Sequence, residues 1–250
     1  MVETRLRNLD VILSILFGIS IFLFLNSIVG SILHIPATVQ TINKGLDGEI
    51  KVCPPEMIRE DVEYAVGEWN RAITYFGLRY MWLDVLGKRF KISSDECDVV
   101  FKFVKLEDLG RRECVVENDR IAVSVTNFQD GKAVIYLWRG LIGQDLRNVL
   151  RRVIIHEFSW VLGIHPPIAS VETASDWFGS LKVTSLDIYA LHSKSSEESQ
   201  TSRIKLFKLD VPDNIPYLTV EKALTYDLLI ASVSALLSTI LYKLLRWVKP

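Results

Sequence analysis

The residues of this chain best suited to chemistry lie in one run, Val153-Ile154-Ile155-His156-Glu157-Phe158-Ser159-Trp160-Val161-Leu162-Gly163-Ile164-His165. An imidazole beside a carboxylate offers a lone pair for a metal ion or a proton, and a general base within reach of it. At about 100° per residue, Leu146, Val149, Leu150, Val153, Ile154 and Val161 share one arc of a helix, with Glu157 near its centre and His156 at its edge. A carboxylate facing a core costs several kcal/mol unless it is paired or put to use, which makes Glu157 the first candidate catalytic residue. Gly163 marks the helix stop. A His-Glu pair on a helix is a short pattern with a high false-positive rate, so its setting decides how much it says.

The setting is a longer frame. His156-Glu157 followed by glycine seven residues after the histidine matches H-E-x-x-H-x-x-G-x-x-H, and the stretch resembles the metzincin zinc metallopeptidases, most closely their matrixin-like branch. In that frame two histidines one helical turn apart bind zinc and the glutamate acts as general base. Carried over to this chain, the resemblance makes His156 and His165 the candidate metal ligands and Glu157 the base. The frame departs from the family at three points. Trp160 stands where the second histidine belongs, and an indole has an N–H donor but no lone pair for a metal. Pro166 holds the third ligand position, with His165 one residue early. The run Ser175 to Gly179, where the family places its Met-turn, holds no methionine: Met1, Met57 and Met81 are the only three, and Trp177 or Phe178 takes that place. Trp160 and Phe178 are therefore expected to occlude the cleft. Zinc is expected to be weakly bound or absent, because each lost ligand removes binding energy.

Several elements are needed to position these residues. Glu49–Cys53 reads as a strand, followed by Pro54-Pro55 and a helix in which Ile58, Val62, Ala65, Val66, Trp69, Ala72 and Ile73 recur at helical spacing, with Gly77 as its end. Three extended runs follow, at 78–86, 98–104 and 120–126, then a turn at Gln129-Asp130-Gly131 and a strand over Lys132–Trp138. After the His156 helix, Val183 to Leu191 reads as a closing helix with Ser185 as N-cap. This order resembles the metzincin upper subdomain over roughly residues 48–192. The resemblance implies an α+β, zincin-like fold with a mixed sheet and an active-site helix. It also implies an edge strand that takes extended peptide by β-augmentation. The matching stretch is Lys132–Trp138, which nominates Val134, Ile135 and Tyr136; an ordinary Asp-Gly hairpin accounts for the same pattern without a ligand.

The flanks are apolar. The 250 residues carry 29 basic and 30 acidic side chains, a balance that excludes the basic footprint of a nucleic-acid binder, while 49% are hydrophobic. Val11 to Leu33 holds no charge and is long enough for a bilayer core, and Arg5 and Arg7 before it favour a cytoplasmic N-terminus. A signal peptide fits the same features, but the run is longer than a signal core and lacks a clean cleavage site. Leu228 to Tyr242 is shorter, with Asp227 before it and Lys243, Arg246 and Lys249 after it to snorkel, and its Ala, Ser and Thr residues suit close packing on another membrane helix. A buried amphipathic helix is the alternative. The expected organisation is an N-terminal transmembrane anchor over 1–35, a metzincin-like domain over 36–192, a linker and strand segment over 193–225, and a C-terminal transmembrane helix over 226–250. Both termini are then cytoplasmic and the main domain extracytoplasmic. Cys53, Cys97 and Cys114 allow at most one pair, which that side of a membrane would permit to oxidise. Sequence proximity favours Cys97 with Cys114, and neighbouring strands would instead join Cys53 to Cys97.

These features lead to a membrane-anchored, metzincin-like pseudopeptidase as the expected function. It would touch membrane lipid, take a peptide or protein ligand on the outer face, and leave nucleic acid alone. An active zinc endopeptidase with a non-standard metal site is the alternative, and a purely structural membrane partner is a third.

Overall fold

The computed structural model of the chain describes residues 2–33, 38–42, 45–109, 124–143, 146–165, 182–193, 206–212, 215 and 217–247. In chain order these form helix α1 (Val2–Ile32), strands β1 (Thr38–Ile42) and β2 (Glu49–Cys53), helix α2 (Arg59–Arg79), strands β3 (Arg89–Ile92) and β4 (Val99–Val104), and a single turn α3 (Leu106–Leu109). Strands β5 (Ser124–Gln129) and β6 (Lys132–Trp138), helix α4 (Arg147–Val161), strand β7 (Ile164–His165), helix α5 (Ser185–Ser193), strand β8 (Leu206–Asp210) and helix α6 (Val220–Trp247) follow. They group into two compact units, Pro36–Val211, and Met1–Ile35 together with Pro212–Pro250. The chain is thus a mixed α/β protein with an apolar helix at each end.

The body is built on a mixed five-stranded sheet in the order β3-β2-β4-β6-β5. β2 runs parallel to β3 and β4, and β4 parallel to β6, while β5 returns antiparallel along β6. The hairpin between the last two turns at Asp130 (φ 50°) and Gly131 (φ 76°), the two left-handed positions that an Asp-Gly pair supplies most readily. β6 is almost entirely apolar because both of its faces are covered. Val134 and Tyr136 pack with Leu109 and Val125 on one face, and Ala133, Ile135 and Leu137, which alternate with them, are fully buried.

Against this sheet α4 is held from several sides. Phe158 stacks on Phe90 of β3 at 4.4 Å between ring centroids and meets Phe101 of β4 at 6.5 Å. Burying a phenylalanine completely contributes about 2–3 kcal/mol. From α2, the buried Trp69 donates its indole N–H to the carbonyl of Ile155 at 3.0 Å. Asp61, 6% exposed, accepts from Arg147 Nε at 2.9 Å and Arg151 Nε at 2.8 Å. Basic residues in a helix's first turn oppose its dipole, and these acidic partners on α2 offset that cost. Asn70 closes the outer side of β3, exchanging two 2.8 Å hydrogen bonds with the backbone of Phe90 as a neighbouring strand would.

The helix α4 ends at Gly163, whose φ of 80° reverses the chain. The chain after β1 then crosses over this stop. Ile42 N–H donates to the Gly163 carbonyl at 2.9 Å and Leu46 N–H to that of Val161 at 2.7 Å. Gly45 makes the approach possible, since a Cβ there would lie 2.5 Å from the Gly163 nitrogen. A second sheet, β7-β1-β8, forms around this crossing, with β1 antiparallel to both neighbours.

Several expectations are corrected here. The run 78–86 is not a strand: α2 continues past Gly77 to Arg79, turns follow, and the strand lies at Arg89–Ile92. Gly77 serves proximity instead of termination, because a Cβ on it would meet the Leu86 side chain at 2.6 Å. The N-cap of α5 is Thr184, one residue before Ser185. Its N–H and Oγ1 donate to Asp187 at 2.7 and 2.8 Å, and the buried carboxylate so stands in for missing intrahelical partners. Cys53 pairs with Cys97, across a Cα separation of 5.5 Å, as the neighbouring strands allow. Cys114 and the serine-rich stretch 194–202 lie outside the described residues. The strand expected within the 193–225 segment is β8, and it is hydrogen-bonded into the body through β1.

In the other unit, α1 from Asp10 and the whole of α6 are long and apolar enough to cross a membrane. They approach each other through small residues. A Cβ on Gly18 would sit 3.2 Å from Ser238 Cβ, and Ser238 Oγ donates to the carbonyl of Ser14. Ser14 and Ser234 are buried in the same seam. Small side chains at a spacing of four let apolar helices come close enough for dispersion to hold them.

Candidate active-site helix

Glu157 is 3% exposed, as its place on the apolar arc implies. It is fully engaged there. Ser124 Oγ donates to one carboxylate oxygen and Thr126 Oγ1 to the other. Both donors sit on β5, two residues apart and so on one face of the strand. Hydrogen bonds to an ionised acceptor contribute about 1.5–3 kcal/mol each, and this pair ties the helix to the outermost strand of the sheet among the described residues. Burial without these partners would be strongly unfavourable.

One residue earlier, His156 is half-buried, and its Nε2 accepts a hydrogen bond from Trp160 Nε1 at 3.1 Å. Residues four apart on a helix lie one above the other, so the indole reaches the imidazole along α4 itself. The nitrogen lone pair that would meet a metal is used by the indole N–H. Nε2 is thus the acceptor nitrogen of this imidazole. At the other end of the helix, Asp61 and then Glu60 hold the Arg147 guanidinium above its usual pKa.

Of the remaining candidates, His165 is placed by its backbone in β7, opposite Gln40 of β1. Phe178 lies outside the described residues. Val134, Ile135 and Tyr136 do not form a sheet edge. β6 is an inner strand, paired to β4 and β5 at all three positions, and the three side chains are 5%, 0% and 3% exposed. A peptide cannot pair with a strand whose hydrogen bonds are already made on both sides, so the expected edge moves one strand outward to β5. Ser124 and Thr126 are the site residues the sequence reading missed. Their signal was the alternation Ser124-Val125-Thr126, polar toward the helix and apolar toward the Leu109 cluster.

As placed, His156 Nε2 and the Trp160 indole offer no free lone pair to a zinc ion. Metal binding needs such lone pairs on several convergent ligands. Among the described residues, no group of three or more His, Cys, Asp or Glu is placed to hold a metal ion. Comparison with protein-family models, with curated proteins and with solved structures finds no match for this chain.

Proposed function

We propose that the chain is a membrane-anchored pseudopeptidase: a metzincin-like domain that binds an extended peptide or protein segment without cutting it, held to a bilayer by α1 and α6. The observation that carries this reading is the Trp160–His156 hydrogen bond, which makes the motif's first histidine the partner of the residue that stands in for the second. Glu157 supports it, because a general base needs an oxygen free to take a proton from water and both of its oxygens face hydroxyl donors. The element order, strand, helix, strands and then the His-Glu helix, agrees with the resemblance drawn from the sequence. Cys53–Cys97 suits an oxidising compartment, consistent with a body on the outer face. The ligand surface in this reading is β5, whose outer edge would accept a strand by main-chain pairing.

The test uses the full chain in detergent micelles. Metal analysis after incubation with excess zinc and desalting is expected to give far less than one zinc per chain, with no cleavage of a general peptide library and with retention of extended peptides from it. Stoichiometric zinc together with cleavage that Glu157→Gln abolishes would establish the endopeptidase alternative instead. No retained peptide would favour a structural membrane partner.

A further inference from the structure

Away from the site helix, the end of α2 and the turn that follows it present large apolar side chains to solvent. Leu78, Met81, Trp82 and Leu86 are 60%, 85%, 49% and 52% exposed. Single exposed apolar residues are ordinary, but a cluster in one short segment marks a contact surface. The turn is not loose. Leu83 and Val85 are buried beneath it, and Leu83 N–H donates to the Tyr80 carbonyl at 2.7 Å and Lys88 N–H to that of Val85 at 3.0 Å. The outward side chains are thus held outward by inward ones.

Two observations say what covers this surface. Trp82 lies edge-on to Tyr189 at 6.4 Å, and the Tyr189 hydroxyl donates to the carbonyl of Asp210 at 3.3 Å. Asp210 is the last residue of β8 and is paired with Thr38, the first of β1. The turn therefore lies at the end of the body from which the chain runs on, in both directions, into the two apolar helices. The second is composition. Next to Met81, Arg79 is held by the Tyr80 hydroxyl through Nε and by the Tyr75 hydroxyl through Nη1, both at 3.3 Å. Tryptophan and tyrosine concentrate at membrane interfaces, where an apolar ring and a polar edge are both satisfied, and arginine meets lipid phosphate there.

We propose that the segment Leu78–Leu86 is an interfacial anchor that seats Met81 and Trp82 in the headgroup boundary of the bilayer crossed by α1 and α6. The proposal rests on the membrane-spanning part of the proposed function and is independent of the peptidase part. A shallow apolar insertion of this segment gives the body a contact of its own with the headgroup region.

The experiment places an environment-sensitive fluorophore at single cysteines in the full chain with Cys114→Ser, reconstituted in phosphatidylcholine vesicles: Met81→Cys, Phe24→Cys within α1, and Gln129→Cys at the far end of β5. The expected result is that lipid-borne nitroxide quenches the labels at 24 and 81 about threefold more than the label at 129, and that iodide shows the reverse order. If the label at 24 is lipid-quenched while that at 81 follows 129, the anchor is overturned and the spanning helices stand. If the label at 24 is itself iodide-accessible, both readings fall.

Discussion

The indole nitrogen of Trp160 and the Nε2 of His156 stand 3.1 Å apart across one turn of α4, joined by a hydrogen bond. Where a zinc protease motif sets two acceptors toward a metal, this helix sets a donor toward an acceptor. The pair is closed without an ion.

Trp160→His should therefore do more than add a ligand, because it also frees the first one. Zinc affinity measured by competition with a chromogenic chelator is expected to rise at least about tenfold, since a second imidazole one helical turn away completes the two-histidine arrangement. Trp160→Phe frees His156 Nε2 but adds no ligand. It should leave zinc affinity near wild type and cost about 1 kcal/mol in denaturant unfolding.

The Glu157 carboxylate and its two hydroxyl donors should behave as a unit. Glu157→Leu alone strands Ser124 and Thr126 and is expected to cost about 2–4 kcal/mol, whereas combining it with Ser124→Ala and Thr126→Val should recover most of that loss. Equal stability of the single and triple variants in urea unfolding would show that the hydroxyls do not hold the carboxylate.

Gly45 and Gly48 offer a paired test of the crossing over the end of α4. Both have positive φ, but a Cβ at 45 would strike the backbone of Gly163 while one at 48 meets nothing within 4 Å. Gly45→Ala is expected to cost about 2–4 kcal/mol and Gly48→Ala about 1 kcal/mol, the latter from backbone conformation alone. Thermal melts of the two variants would separate contact from conformation.

The surface charges of β2 define a pH response. A hydrogen bond from Arg89 holds the Glu49 carboxyl below its usual pKa, and one from Lys51 does the same for Glu96, while Glu96 holds Lys51 above its own. Carboxylates with depressed folded-state pKa values stabilise the fold above their unfolded values, and that contribution is lost as pH falls through the depressed ones. The raised lysine acts oppositely, its contribution present below its unfolded value and lost as pH rises through the folded one. These groups are solvent-accessible, Glu96 largely and Glu49 and Lys51 in part, so salt should weaken both effects. Lys51→Met should flatten the acid limb of a melting-temperature profile, and an unchanged limb would assign acid sensitivity to other groups.

What could be read from the chain alone followed from periodicity and local chemistry. β2 and β6 were placed residue for residue, because β-branched and aromatic runs bounded by turn residues have few alternatives. Glu157 was recognised as inward-facing from a carboxylate on an apolar arc, and the tryptophan substitution from valence. Long-range pairing was not legible. Nothing local says that β5 is outermost among the described strands, since strand order depends on crossovers, and Ser124 and Thr126 acquire their role only when the sheet sets them above α4. Thr38–Ile42 is too short to announce a strand whose partners lie so far along the chain. Gly77 was misread because a glycine that admits a neighbour's side chain and one that ends a helix look alike in one dimension.

Thr38 opens β1 and Asp210 closes β8, and the two face each other at the same end of the ladder. A pull that separated the apolar helices sideways would load that ladder as a zipper, breaking Thr38 from Asp210 first and Ile42 from Leu206 last, one rung at a time and at low force. The next bonds in line are those from β1 to Ile164 and His165, at the foot of α4. Force applied at the two ends of this ladder would thus have a short mechanical route to the helix that carries His156 and Glu157.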